Sequence, residues 1–157
     1  MKIKFICIGK NTDNYINEGV NEYFHRIKKY VPIEIIYLRG IQKSKNTKTL
    51  YTKEKEGEMI LKSLDDHDFL ILLDEKGETY TSVKFAETLE NMMVNGLKDM
   101  AFVIGGAFGF SDSVYKRSNK MVSLSKMTFP HQLIRIIFME QLYRAFTIIK
   151  KEPYHNE

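Results

Sequence analysis

Five short, strongly apolar segments alternate with longer amphipathic segments along the chain. Runs of this kind, roughly four to eight residues long and separated by helical patterns, are typical of strands buried on both faces of a parallel sheet. The amphipathic segments predict helices near 14–30 and 50–64, one capped by Ser82, one opened by Ser111 and Asp112, and a last one over about 130–150. We therefore predict an α/β fold, with a mostly parallel sheet covered by helices on both faces. The predicted strands are residues 2–8, 33–38, 69–73, 101–104 and 121–124.

The length and composition fit a single globular domain over residues 1–157. The chain has 157 residues, of which 43% are hydrophobic and 28% charged, and this balance argues against disorder. No apolar run approaches the roughly 18 to 20 residues of a membrane helix, so we expect a cytoplasmic protein. The one cysteine, Cys7, lies in the first apolar strand and is interpreted as a buried, inert thiol.

The charge pattern allows an RNA partner without requiring one. The net charge is +4, and the histidines are too scattered for a zinc site, so no metal is expected. Three basic clusters have two possible interpretations: they are ordinary solvated surface, or they contact phosphate groups. These are Arg26, Lys28 and Lys29; Lys43, Lys45 and Lys48; and Lys116, Arg117 and Lys120.

Three loops at the carboxyl ends of strands are the candidate ligand loops, because open α/β sheets bind ligands there. They follow Leu73, Ile104 and Leu124. The loop after Ile104, residues 105–109, is rich in glycine and serves either as a ligand loop or as a tight turn. It lacks a dinucleotide-binding fingerprint, and the segment around Gly9 and Lys10 lacks a complete phosphate-loop motif.

The loop after Leu124 has unusual chemistry for a connection between two buried elements. Pro130 suits the first position of a helix, and it pushes Phe129 toward extended geometry. Residues 124–129 should therefore leave the sheet in an extended form, and their backbone polar groups need partners. Either an internal turn or a planar heterocycle such as adenine would satisfy them.

The last helix is apolar nearly all round, which predicts burial on more than one side. In a chain of this size we expect that burial in a homodimer. Arg144 lies among these apolar residues, and it either pairs with Glu140 one turn earlier or contacts a phosphate or substrate. The tail that follows contains Tyr154 and His155, which could serve a neighbouring active site.

Several motifs occur in an order and spacing that resemble the ribosomal RNA large-subunit methyltransferase H family of the SPOUT superfamily, over the whole chain. The motifs are Lys55-Glu56-Gly57, Ile104-Gly105-Gly106 with Gly109, "SLSKMTFPH" over 123–131, "EQLYRA" over 140–145 and Pro153-Tyr154-His155. The resemblance implies a C-terminal trefoil knot, a homodimer and S-adenosylmethionine bound in the knot. The implied cofactor-binding residues are Leu73, Gly105, Leu124, Ser125, Lys126, Met127, Thr128 and Phe129.

The resemblance also implies a reaction. The family methylates N3 of a pseudouridine in helix 69 of 23S rRNA on the assembled ribosome. His155 is the candidate base for the N3 proton, and Tyr154 and Arg144 are candidates for positioning the nucleotide. From the chemistry of the residues alone, a nucleotide-dependent α/β oxidoreductase and a non-catalytic RNA-binding module remain alternatives.

Overall fold

Five strands and five helices alternate in the computed structural model, which describes residues 1–42, 46 and 48–156. Lys43 and Lys45 of the second basic cluster lie outside the described residues. The elements are β1 (Lys2–Ile8), α1 (Asn14–Ile27), β2 (Ile33–Leu38), α2 (Thr49–Lys62), β3 (Phe69–Thr79), α3 (Ser82–Val94), β4 (Asp99–Ile104), α4 (Asp112–Arg117), β5 (Lys120–Ser123) and α5 (Leu133–Ile149).

The strands form one parallel sheet in the order β2-β1-β4-β3-β5. The prediction of an α/β fold with a parallel sheet is confirmed. Central strands β1 and β4 are almost entirely buried, because helices cover both faces of the sheet. The knotted threading of the C-terminal part stays a prediction.

Each face of the sheet has its own layer of helices. Helices α1, α3 and α5 cover one face, where the Phe138 ring lies 4.8 Å from that of Phe5 and 4.9 Å from that of Phe102. Helices α2 and α4 cover the other face through Ile60 and Val114. Gly57 permits this second contact, since a Cβ atom there would collide with the Ser111 hydroxyl.

Several element boundaries differ from the predictions, and three of them have a clear structural reason. Strand β3 does not end at Leu73 but continues to Thr79, because its pairing with β5 resumes at Glu78 after a register shift. Helix α3 is capped by the Thr81 hydroxyl, which accepts from Lys84 N–H, and Ser82 is its first residue. Helix α5 begins regularly at Leu133, and Pro130 only opens the turn that leads into it, with its carbonyl accepting from Ile134 N–H.

Two buried side chains, Cys7 and Lys4, have pKa values that their surroundings shift. Cys7 is fully buried as predicted, and burial raises the pKa of its thiol to about 12, so it is no nucleophile. Lys4 is 6% exposed. Burial alone would lower the pKa of Lys4, but its hydrogen bonds to Asp65 and Asp68 outweigh that effect and raise it.

Within the described part of the chain, every helix falls short of the length and apolar character that a membrane crossing requires.

Candidate cofactor cleft and C-terminal cluster

A cleft lies at the carboxyl ends of β4 and β5 and beside the register shift that follows Leu73 in β3, at the edge where parallel sheets bind ligands. Two adjoining cavities form it, one of about 140 Å³ and one of about 520 Å³. Leu73, Ile104, Phe129 and Ile134 line both of them, together with Asp74 and Glu75. Small-molecule sites in proteins typically enclose roughly 300 to 1,000 Å³, so the combined space is of ligand size.

The segment between β5 and α5 forms one wall of the smaller cavity. Ser123 Oγ donates to the Ser125 carbonyl (2.9 Å), and Met127 N–H donates to Ser125 Oγ (2.9 Å). These side-chain bonds hold the segment in an irregular course outside the sheet. The prediction that the chain leaves the sheet at Leu124 is therefore confirmed, and a local turn around Ser125 satisfies part of its backbone.

A buried arginine fixes the start of α5 to the loop after β1. Arg135 is 1% exposed and donates to the carbonyls of Ile8 (2.6 Å) and Gly9 (3.0 Å) and to Asn11 Oδ1 (3.0 Å). Gln132 adds a bond to the Lys10 carbonyl (3.2 Å). The wall of the cleft is thus anchored at its C-terminal end by residues from the opposite end of the chain.

The register shift in β3 brings two carboxylates to the cleft. Residues 74–77 bulge out of the strand, and Asp74 Oδ2 accepts from the Tyr115 hydroxyl (2.6 Å). Burial and this bond raise the pKa of Tyr115 to about 12, so it stays a neutral donor. Asp74 and Glu75 were not predicted as site residues, although their place directly after an apolar strand was a usable signal.

The residues of the cleft fit S-adenosylmethionine. Leu73, Ile104, Phe129 and Ile134 supply apolar surface for a flat heterocycle, and Ser125 and Thr128 supply hydroxyls beside it. Asp74 and Glu75 supply negative charge opposite the cationic sulfonium and amino groups of such a ligand. The donor set therefore matches a ligand with an apolar flat part and positive charge.

Most of the predicted cofactor residues meet in this cleft. Leu73, Leu124, Ser125, Met127, Thr128 and Phe129 line the smaller cavity, and Gly105 lines the larger one. Lys126 differs, because it is exposed and is not among the described residues that line either cavity. His131 also lines the larger cavity.

The three predicted catalytic residues form a second cluster around Glu140. Arg144 donates to Glu140 Oε1 from Nε (3.0 Å) and Nη2 (2.6 Å), so the predicted helical pair is confirmed. The Tyr154 hydroxyl also donates to Glu140 Oε1 (3.2 Å), and the Arg144 guanidinium lies 4.8 Å from the Tyr154 ring centroid. Glu140 therefore holds both residues, and sequence reasoning had recognised its pair with Arg144 but not its bond from Tyr154.

The chemistry of this cluster follows from its hydrogen bonds. Arg144 Nη1 lies 3.1 Å from His155 Nδ1. Because a guanidinium only donates, Nδ1 accepts and the neutral imidazole carries its proton on Nε2. Burial, followed by contact with Tyr23 and the Glu140 charge, raises the pKa of Tyr154, so its phenol stays protonated.

The cluster and the cleft lie apart in one chain. Ile134 contacts the cleft near the start of α5, whereas Arg144 lies ten residues further along the same helix. This spacing corresponds to about 15 Å along the helix axis. The turn after the helix, in which Lys151 has a left-handed φ of 57°, brings Tyr154 and His155 back onto the end of α5 rather than toward the cleft.

One group of side chains has spacing compatible with a metal ion. Potential ligand atoms of Asp65, His67 and Asp68 lie within 4.8 Å of one another. The Lys4 ammonium, however, contacts both carboxylates (2.6 and 2.7 Å), and it already supplies the positive charge that these carboxylates face. We assign no metal to this group.

Comparison with known proteins identifies the family of this chain. A family model described as a predicted SPOUT methyltransferase matches residues 1–155. The chain is 50% identical over 157 residues to the ribosomal RNA large subunit methyltransferase H of Parabacteroides distasonis, with both chains covered completely. It is 46% identical over 156 residues to the protein of that name from Christiangramia forsetii, with 99% of each chain covered. For the Enterococcus faecalis protein of the same name the identity is 40% over 159 residues, with 99% of this chain and all of that one covered. A match of this extent, joined to a parallel sheet with a ligand cleft at its strand ends, shows that the chain belongs to the SPOUT family of S-adenosylmethionine-dependent methyltransferases.

Proposed function

We propose that this methyltransferase modifies N3 of a pseudouridine in helix 69 of 23S rRNA, and that it acts on the assembled ribosome in the cytoplasm. The observation that carries the proposal is the cleft beside Leu73 of β3 and the ends of β4 and β5, whose lining suits the methyl donor. The relatives named as ribosomal RNA large subunit methyltransferases point to the acceptor.

The reaction needs alignment and removal of one proton. S-adenosylmethionine supplies, when bound, a methyl group that is already activated. Leu73, Leu124, Ser125 and residues 127–129 would hold the donor, and Asp74 and Glu75 would supply negative charge to match its positive charge. Arg144 and Tyr154 hold the nucleotide so that N3 lies in line with the methyl carbon, because alignment of reacting atoms supplies much of the catalysis in such reactions.

A homodimer would bring the C-terminal cluster of one subunit to the cleft of the other. Since about 15 Å of α5 separates them in one chain, we propose that the tail of one subunit completes the cleft of its partner. The exposure of α5 supports this arrangement. Leu133, Ile137 and Ile148 remain only partly buried in the isolated chain, and a second subunit would cover them.

Proton removal is assigned to His155. In this structure Arg144 donates a hydrogen bond to Nδ1 of His155, which is the ring nitrogen that carries no hydrogen. We propose that Arg144 turns to the nucleotide when RNA binds, and that Nδ1 then accepts the N3 proton.

A histidine substitution tests the base. We expect His155→Ala to reduce the rate of methyl transfer about 10²-fold or more near neutral pH, the range for loss of a general base. The deficit should shrink as the pH rises, because hydroxide then removes the proton. The measurement is the single-turnover rate on ribosomes between about pH 6 and pH 9. Full activity of the variant over this range would show that His155 is not the base.

Labelled-methyl transfer tests the proposed function as a whole. Ribosomes that lack the modification are incubated with the protein and methyl-labelled S-adenosylmethionine, and the labelled nucleotide is mapped. Label on a different nucleotide would overturn the assigned acceptor. Calorimetric titration with S-adenosylmethionine and with NAD provides the companion measurement, and binding of NAD alone would favour the oxidoreductase alternative.

A further inference from the structure

A surface rich in lysine, arginine and tyrosine surrounds the C-terminal cluster. It joins the end of α1 to the end of α5, which lie side by side. Tyr30 connects these two ends, since its hydroxyl donates to Glu152 and its ring stacks on Phe146 at 5.7 Å with an interplanar angle of 12°. We call this region the basic tail surface. It consists of Arg26, Lys28, Lys29, Tyr143, Lys150 and Lys151.

The basic tail surface has an excess of positive charge in an exposed position. Lys28, Lys29, Lys150 and Lys151 are exposed, and Arg26 keeps 40% of its side chain accessible. Two carboxylates hydrogen-bond to this region, namely Glu22, which accepts from Arg26, and Glu152, which accepts from Tyr30. The cations outnumber these two carboxylates, which favours a polyanion as the partner.

The planar groups on this surface suit bases as well as phosphates. The Arg26 guanidinium lies over two rings, 5.6 Å from the Tyr23 centroid and 5.5 Å from the Tyr143 centroid. An arginine held over aromatic rings is placed to offer its guanidinium for stacking of an unpaired base. This combination of stacking surface and exposed lysines distinguishes a site for single-stranded RNA from a simple charged patch.

The basic tail surface is continuous with the cluster that holds the nucleotide in the proposed function. The Tyr143 ring meets the Tyr154 ring edge-on at 4.8 Å. The Arg144 guanidinium covers that same Tyr154 ring. An RNA strand that places its target base beside Arg144 and Tyr154 would thus carry its neighbouring nucleotides over Tyr143 and Arg26.

We propose that the basic tail surface binds the single-stranded nucleotides that flank the methylated one, with Arg26 stacking on a base and Lys28 and Lys29 contacting phosphates. The inference rests on the proposed function, because that function identifies the partner as RNA. It adds a docking surface on α1, outside both the cleft and the predicted catalytic residues.

Neutral substitutions test the phosphate contacts. We expect Lys28→Gln/Lys29→Gln to raise the KM for ribosomes about tenfold at physiological salt and to lower the slope of log affinity against log salt by about 1.5, as for two lost contacts to single-stranded RNA. The kcat at saturation and the affinity for S-adenosylmethionine should stay unchanged. The matched control is Lys62→Gln/Lys84→Gln, which removes the same charge from exposed positions on α2 and α3.

The stacking contribution is tested by Arg26→Lys, which preserves the charge but removes the planar group. We expect weaker binding of a fluorescent single-stranded RNA oligonucleotide with an unchanged salt slope. Equal KM and salt slope for the Lys28/Lys29 variant and its control would overturn the inference. If the wild-type protein methylates no rRNA, the proposed function fails, and the oligonucleotide titration still decides whether this surface binds RNA.

Discussion

Replacement of Arg144 by lysine should lower kcat for methyl transfer about 10²- to 10³-fold, the loss typical for one positioned donor in an active site. Lysine keeps the charge, but it cannot donate at once to Glu140 and to His155 as the guanidinium does. The nucleotide would then lose the guanidinium that holds it, and His155 would lose the group that positions it before RNA binds. Single-turnover kinetics on unmodified ribosomes measures the effect.

The control for this substitution is Arg39→Lys, because Arg39 is exposed and lies outside both the cleft and the C-terminal cluster. Its rate should equal that of the wild-type protein. Calorimetry should give the Arg144 variant nearly normal affinity for S-adenosylmethionine, since the lining of the cleft is intact. A rate within about threefold of wild type would place Arg144 outside the catalytic machinery.

A methyl group at position 77 should be the most damaging small change in the sheet. A Cβ atom there would lie 2.5 Å from Val122 N and 2.6 Å from Met121 C, and these backbone atoms of β5 have no room to move. We expect Gly77→Ala to lower the free energy of unfolding by about 3 kcal/mol. For a chain of this size the melting temperature should fall by about 10 °C, as measured by calorimetry.

The Gly77→Ala variant should also bind S-adenosylmethionine more weakly, because β5 leads directly into the Ser123–Phe129 wall of the cleft. Gly96→Ala is the matched control. Gly96 has a left-handed φ of 81°, and a Cβ atom added there would meet nothing within 4 Å, so alanine costs only the conformational strain of about 1 kcal/mol. Equal losses for the two variants would show that β5 yields to the added methyl group.

The proposed methyl-donor cleft was largely predictable from local patterns. Leu73 ends the apolar run of β3 and Ile104 ends β4, and parallel strands bring their carboxyl ends to one edge of the sheet. Pro130 constrained the approach to α5, although the regular helix begins three residues later. Asp74 and Glu75 directly follow an apolar run, but they were not predicted as site residues because their position in the cleft depends on the register shift between Leu73 and Glu78.

The C-terminal cluster was predictable in membership but not in arrangement. The pairing of Arg144 with Glu140 follows from helical spacing, which is a local property. The attachment of Tyr154 to the same carboxylate depends on the turn at Lys151, where a non-glycine residue adopts a left-handed conformation. No local pattern announces that turn, since glycine is the residue that usually marks such a position.

By itself the sequence determined the class of fold, because apolar strands without polar faces are stable only inside a parallel sheet with helices on both sides. It also predicted which loops line one cleft, since parallel strands have a common carboxyl edge. Only the tertiary structure decided the strand order β2-β1-β4-β3-β5, the anchoring of α5 by Arg135 to the carbonyls of Ile8 and Gly9, and the separation of cleft from C-terminal cluster along α5. These features depend on contacts between residues far apart in the chain, and hydrophobic periodicity describes only the residues within one element.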